Sequence, residues 1–187
     1  MKNEMPRILK SLAWIDHEIN FVRDKSDRFV LLSAYQTSRM SPDPSTKNGA
    51  ILVRDNGCLA TFGVNKFPMN VEETEERLAD REFKYKTIVH AEASAIINAA
   101  RVGIPTHGCT LYCPFYSCCD CAKTIIEAGI KRVVGHAQLM AIASTHVSWI
   151  DSIVHGWNMM EEAGVKCDLF YGKLDIKTRF NHEDVSV

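Results

Sequence analysis

Two short runs, His90-Ala91-Glu92 and Cys118-Cys119-Asp120-Cys121, hold the residues whose types and spacing can do chemistry. A histidine and two cysteines offer three corners of a tetrahedral zinc site and leave the fourth to water, as a catalytic rather than a structural ion requires. Cys118 and Cys121 are three apart, so at the start of a helix both sulfurs lie on one face. A helix N-terminus also favours thiolate over thiol. One neutral imidazole and two thiolates balance a divalent ion, and the site can be buried without a stranded charge. Glu92 is then free to serve as a proton carrier for the activated water rather than as a fourth ligand. Cys119 is the competing ligand by proximity, but its side chain points about 100° around the helix from Cys118.

The flanking pattern supplies elements to position these groups. Ile8, Leu9, Leu12, Ile15 and Ile19 recur at helical spacing, and Asp27 can begin a second helix carrying Phe29, Leu32 and Tyr35. The prolines of Ser41-Pro-Asp-Pro-Ser-Thr-Lys47 stop that helix in a loop. Ala50–Val53 and Leu59–Phe62 flank Asp55-Asn56-Gly57, which tolerates positive φ and predicts a hairpin. Residues 70–86 are dense in charge and read as a solvated loop or short helix. A helix from about His90 to Ala100, a strand at Thr110–Tyr112 and a helix from about Cys118 to Ala128 follow. A strand at Lys131–Val134, a helix near Trp149–Ala163 and a strand at Cys167–Tyr171 complete the series. Gly129 and Gly164 fall where helix C-termini are expected. Strands and helices alternating after a hairpin predict a mixed sheet covered on both faces.

At 187 residues and 46% hydrophobic composition, the chain predicts one core with terminal extensions. Residues 1–26 read as an N-terminal helical extension, 27–172 as the domain, and the polar stretch 173–187 as a surface tail. Lysine and arginine total 22 against 23 acidic residues, a balance with no pull toward a long nucleic acid, and a small substrate is expected instead. No run approaches the roughly 20 apolar residues that span a bilayer. Seven cysteines, five of them between Cys109 and Cys121, suit a metal site rather than a disulfide framework, and a cytoplasmic location is expected. Cys58, Cys109, Cys113 and Cys167 read as small buried hydrophobes.

His-x-Glu followed by Cys-x-x-Cys matches the zinc-deaminase signature, in which the glutamate relays protons to the ring nitrogen and the departing amine. Ser117 stands where that signature has proline and is expected to act as an N-cap. Ser41-Pro-Asp-Pro-Ser-Thr-Lys-Asn-Gly-Ala50, Arg77–Tyr85, Val89-His-Ala-Glu92 and Cys121–Lys131 extend the likeness, and over roughly residues 27–172 the chain resembles the deoxycytidylate deaminases, phage-encoded ones included. The resemblance implies a cytidine-deaminase-like three-layer α/β/α sandwich with a mixed five-stranded sheet. It implies zinc on His90, Cys118 and Cys121, Glu92 as the catalytic proton shuttle, and hydrolysis of dCMP to dUMP and ammonia. Asn65 is similar to the asparagine that such enzymes direct at the sugar. Ala91 joins it as a substrate contact, and Lys47, in the polar loop, is assigned to phosphate. A homo-oligomer is implied as well. The sequence departs from the family at Val64 and Lys66, in a region associated with regulation by deoxynucleoside triphosphates, at Ala93-Ser94, and across His136–Ser148, which replaces the usual substrate-facing loop.

Deamination of a base within RNA or DNA is disfavoured by the near-neutral charge and the lack of a basic, aromatic stripe, and two further functions fit the same zinc residues. One is deamination of another small aminated base or nucleotide. The other is a non-catalytic zinc module completed by Cys113 or Cys119 as a fourth ligand.

Overall fold

The computed structural model describes Leu12, residues 19–143 and residues 147–187. Strands β2 (Gly49–Val53) and β3 (Leu59–Val64) form the expected hairpin, with Gly57 at φ 80° in its turn. They continue into β4 (Thr110–Tyr112), β5 (Arg132–His136) and β6 (Lys166–Phe170). A short β1 (Asn20–Val22) closes the far edge, giving the order β1-β6-β5-β4-β2-β3. β2 is antiparallel to both neighbours, and the pairs β4–β5, β5–β6 and β6–β1 are parallel.

The sheet therefore has six strands and not the expected five. The sixth lies inside the segment expected to be an N-terminal helical extension. At three residues it is too short to carry an alternating signal, and it is held by pairing along β6 and by the Asn20 amide donating to Asp168 Oδ1. Leu12 is buried in the core, while Ile8, Leu9 and Ile15 of the expected first helix lie outside the described residues.

Successive residues of a strand face opposite sides, and here both sides are dry. Leu52, Leu111, Val133 and Leu169 pack with helices α4 (Ala91–Arg101), α5 (Cys119–Glu127) and α7 (Val147–Glu162). Ile51, Tyr112, Val134 and Phe170 face α1 (Lys25–Ser38) and the C-terminal segment. α1 starts two residues earlier than expected, because Asp24 caps it by accepting from the Ser26 and Asp27 N–H groups. Asp27 is instead buried and accepts both guanidinium nitrogens of Arg132, at 2.8 and 2.7 Å.

The charged stretch 70–86 folds into two short helices, α2 (Glu75–Ala79) and α3 (Arg81–Thr87), capped by Thr74 and Asp80. Gly129 and Gly164 adopt φ 70° and 77° beyond α5 and α7, as the sequence predicts. Cys58 is exposed beside the hairpin turn, contrary to its reading as a core residue, whereas Cys109, Cys113 and Cys167 are buried. Residues 173–187, expected as a polar surface tail, form a second hairpin from β7 (Lys177–Phe180) and β8 (Glu183–Ser186). Leu174, Ile176 and Val187 anchor it by burial in the α1-side core.

His136 ends β5 wholly buried, and α6 (Ala137–Ala143) follows it directly. Its Nε2 lies 2.9 Å from the Gly172 carbonyl and must carry the proton, so Nδ1 accepts the Tyr35 hydroxyl at 2.7 Å. Burial lowers this imidazole from 6.5 to about 4. A lowered histidine keeps its stabilising neutral form above pH 6.5 and loses that advantage as pH falls toward 4. The shift corresponds to about 3 kcal/mol. Denaturant titrations are expected to show stability falling across this window, and His136→Gln, which cannot charge, is expected to flatten the dependence.

Candidate active site

The start of β2, the end of β3 and the carboxyl end of β4 meet at one edge of the sheet, since Gly49 pairs with Val64 and Ile51 with Tyr112. Two helix N-termini point at this edge: His90 is the N-cap of α4 and Cys118 the N-cap of α5. Close packing brings both there. A Cβ on Gly63 of β3 would lie 2.3 Å from the Ala95 nitrogen and 2.5 Å from the Ala91 carbonyl, so only glycine lets α4 sit this near the sheet. A Cβ on Gly156 of α7 would lie 2.9 Å from the Ser117 carbonyl, just ahead of α5.

His90 Nδ1 stands 3.4 Å from both Cys118 Sγ and Cys121 Sγ, and the three donor atoms lie within 4.8 Å of one another. Tetrahedral bonds of the usual zinc lengths place nitrogen and sulfur about 3.5 Å apart. The donor set therefore fits zinc in separation as well as in chemistry. Among the described residues, Cys113, Cys119 and Glu92 stand outside this set. Cys113 Sγ accepts the Asn48 amide at 3.2 Å, and Cys119 Sγ accepts the Ser152 hydroxyl at 3.2 Å. The three donors already share protons. A hydrogen bond with the Cys121 thiol, and after it one with His90, lower the Cys118 thiol, while the same partnership raises Cys121. The Cys118 sulfur in turn pushes the His90 imidazole up to about 9. A cation entering between these groups replaces those protons.

Glu92 lies in the first turn of α4, 3% exposed, and its Oε2 has no hydrogen-bond partner among the described residues. Burial raises its carboxyl above the usual range, and the charge of His90 opposes that rise. A buried carboxyl oxygen left unpaired is costly unless something that enters the site completes it. Ser117 is also buried, and its hydroxyl has no hydrogen-bond partner among the described residues. It does not serve as the N-cap expected of it, because Cys118 occupies that position.

Glu92, His90, Ala91 and Cys118 line a cavity together with Asn48 and Asn65. The Asn65 side chain braces the loop before β2: Oδ1 accepts from the Asn48 N–H at 2.7 Å, and Nδ2 donates to the Thr46 carbonyl at 2.7 Å and to Asp43 Oδ2 at 3.3 Å. Lys47 is not brought to the cavity. Its ammonium turns to the Ser41 carbonyl and its N–H donates to Arg179 O at 3.0 Å. The cation that does line the cavity is Lys84 of α3, 5% exposed and 3.0 Å from Asp43 Oδ1. Burial alone would raise Asp43, but Ser45 and Lys84 bring its carboxyl below the ordinary range. Sequence reasoning missed Lys84 because it sits in a run of charges whose only local signal is solvation.

It also missed the aromatic walls. Tyr85 and Trp149 meet edge to face at 5.6 Å at the rim, and Phe115 and Phe180 form the side nearest the C-terminal hairpin. Met140 and Ala143 of α6 reach the cavity as well, so the start of the divergent stretch 136–148 is helical, while residues 144–146 lie outside the description.

The family model for the cytidine and deoxycytidylate deaminase zinc-binding region matches residues 24–145. The chain belongs to this deaminase family. It is 35% identical to a probable deoxycytidylate deaminase of Caenorhabditis elegans over 113 residues, which are 58% of this chain and 55% of that protein. It is 45% identical to the deoxycytidylate deaminase of Enterobacteria phage T4 over 77 residues, 41% of this chain and 38% of that one. The chain thus spans about half the length, or less, of these curated relatives. In fold it is similar to the dCMP deaminase of cyanophage S-TIM5 solved with dCMP and dUMP, with a TM-score of 0.61 and 23% identity over 79% of this chain and 98% of that one. Among the described residues, no helix is long and apolar enough to cross a membrane. The matched zinc-binding region contains His90, Cys118 and Cys121, the three-donor cluster that could hold a metal ion.

Proposed function

We propose that this deaminase-family chain hydrolyses a free cytosine nucleotide, dCMP to dUMP and ammonia, with Glu92 carrying the protons. The observation behind this reading is the unpaired Oε2 of buried Glu92, facing the cavity two residues from His90 in the three-donor cluster. His90, Cys118 and Cys121 would hold the zinc, which would supply Lewis-acid activation of water. Glu92 takes the proton this water sheds and passes it to ring nitrogen N3. The water oxygen bonds to C4, and Glu92 then carries the remaining proton of that oxygen to the 4-amino group as the C4–N bond breaks and C4=O forms, so that water and dCMP yield dUMP and ammonia. Burial moves the Glu92 carboxyl upward, the direction that makes it a better proton acceptor. The absence of a fourth protein donor among the described residues speaks against a closed structural zinc.

Asn65 and the loop it braces form the polar wall for sugar and phosphate, with Lys84 in place of the Lys47 contact that the sequence suggests. Ammonia release measured across cytosine, deoxycytidine, dCMP, dCTP, an aminated purine nucleotide and an oligonucleotide tests the substrate. The expected result is the highest kcat/KM for dCMP, about tenfold or more above deoxycytidine, the increment that one charge-assisted phosphate contact provides. A higher kcat/KM for the nucleoside, or for the purine nucleotide, removes the dCMP reading.

A further inference from the structure

The C-terminal hairpin reaches the cavity in a way that the zinc cluster and Glu92 do not require. Phe180, the last residue of β7, lines the cavity and packs on Phe115, with ring centroids 5.0 Å apart and planes inclined by 35°. The hairpin is fastened to the loop that forms the neighbouring wall. Lys47 N donates to Arg179 O at 3.0 Å and His182 N to Ser45 O at 2.8 Å. Asn181 N donates to Thr46 Oγ1 at 3.1 Å, and Arg179 Nε to Pro44 O at 3.2 Å. Ser45 and Thr46 themselves line the cavity. The turn that makes this possible holds Asn181 at φ 48° and His182 at φ 68°, left-handed conformations that these two residue types adopt more readily than most others.

We propose that Phe180 is a substrate-contact residue, and that the C-terminal hairpin is the wall that holds the base ring over the catalytic cluster. The proposal deepens the nucleotide reading above and rests on it. The cavity lining divides by chemistry into the apolar, π-rich Phe115–Phe180 pair and the hydrogen-bonding residues Asn48, Asn65 and Ser45. A nucleotide has the same division, with a planar ring that gains from an aromatic neighbour and a sugar phosphate that needs polar partners. Because this contact is made in the ground state and the transition state alike, it governs KM more than kcat.

The test compares the zinc-loaded wild type with Phe180→Ala and Phe180→Tyr, measuring kcat and KM for dCMP, the calorimetric Kd for the product dUMP, and the melting temperature. Phe180→Ala is expected to raise both KM and the dUMP Kd about tenfold, the usual worth of a base–aromatic contact, with kcat changed less. Phe180→Tyr, which keeps the ring, is expected to restore most of the affinity. Unchanged KM and Kd in Phe180→Ala beside an active wild type overturns the proposal alone. So does a loss confined to kcat and melting temperature, which assigns Phe180 a structural role. A wild type that neither binds nor deaminates any cytosine nucleotide defeats the nucleotide reading, and this proposal with it.

Discussion

Glu92→Gln is expected to keep its zinc and its fold while losing turnover by on the order of 10³-fold or more. The amide is nearly isosteric with the carboxyl and fits the same buried place in the first turn of α4, where it adds no charge. It cannot accept the proton of an activated water or return one to the amine. General acid–base assistance contributes about 10²–10⁴-fold for one transfer, and both transfers run through this side chain. Substrate affinity is expected to change less, because the cavity keeps its asparagines and aromatic walls. Zinc content, melting temperature and ammonia release measured on one preparation decide the matter. Near-wild-type turnover in a zinc-replete variant would mean that another group moves the protons.

Removing a metal donor is expected to act differently, through the ion itself. His90→Ala, Cys118→Ala and Cys121→Ala each leave two donors of a three-donor set, and zinc is expected to fall from about one per chain to near none after dialysis. Zinc held 100-fold above its dissociation constant stabilises the folded state by about 2.7 kcal/mol, and that increment should vanish from the melting curve along with all activity. Cys119→Ala is the control. Its sulfur is engaged with Ser152 and lies outside the donor set, so zinc and most of the stability are expected to remain. Elemental analysis of the four variants distinguishes the assignments. Full zinc in Cys121→Ala together with loss in Cys119→Ala would reverse them.

The chemistry was legible before the fold because its signals are local. Cys118 and Cys121 share a face by helical spacing alone, and His90 and Glu92 fall at the start of one helix whatever that helix packs against. The turn at Gly57 and the helix ends at Gly129 and Gly164 were likewise readable, since each needs a backbone conformation that glycine adopts at little cost. What the sequence by itself left open depends on contacts between residues distant in the chain. Residues 20–22 are a strand only because β6, nearly 150 positions later, offers an edge. Residues 177–186 looked like a polar tail because the pairing of β7 with β8 carries no alternating apolar signal, and the backbone contacts that seat the hairpin, from Arg179 O, Asn181 N and His182 N to the loop at 45–47, join segments far apart in the chain. Lys47 and Lys84 are alike as residue types, and only the tertiary structure decides which ammonium faces the cavity. The turn before β2 directs Lys47 to the Ser41 carbonyl, while Asp43 and Ser45 draw Lys84 inward from α3. Local spacing thus determined the candidate catalytic set, and long-range pairing decided the walls around it, because a hydrogen bond or an ion pair across a hundred residues leaves no pattern in the sequence on either side.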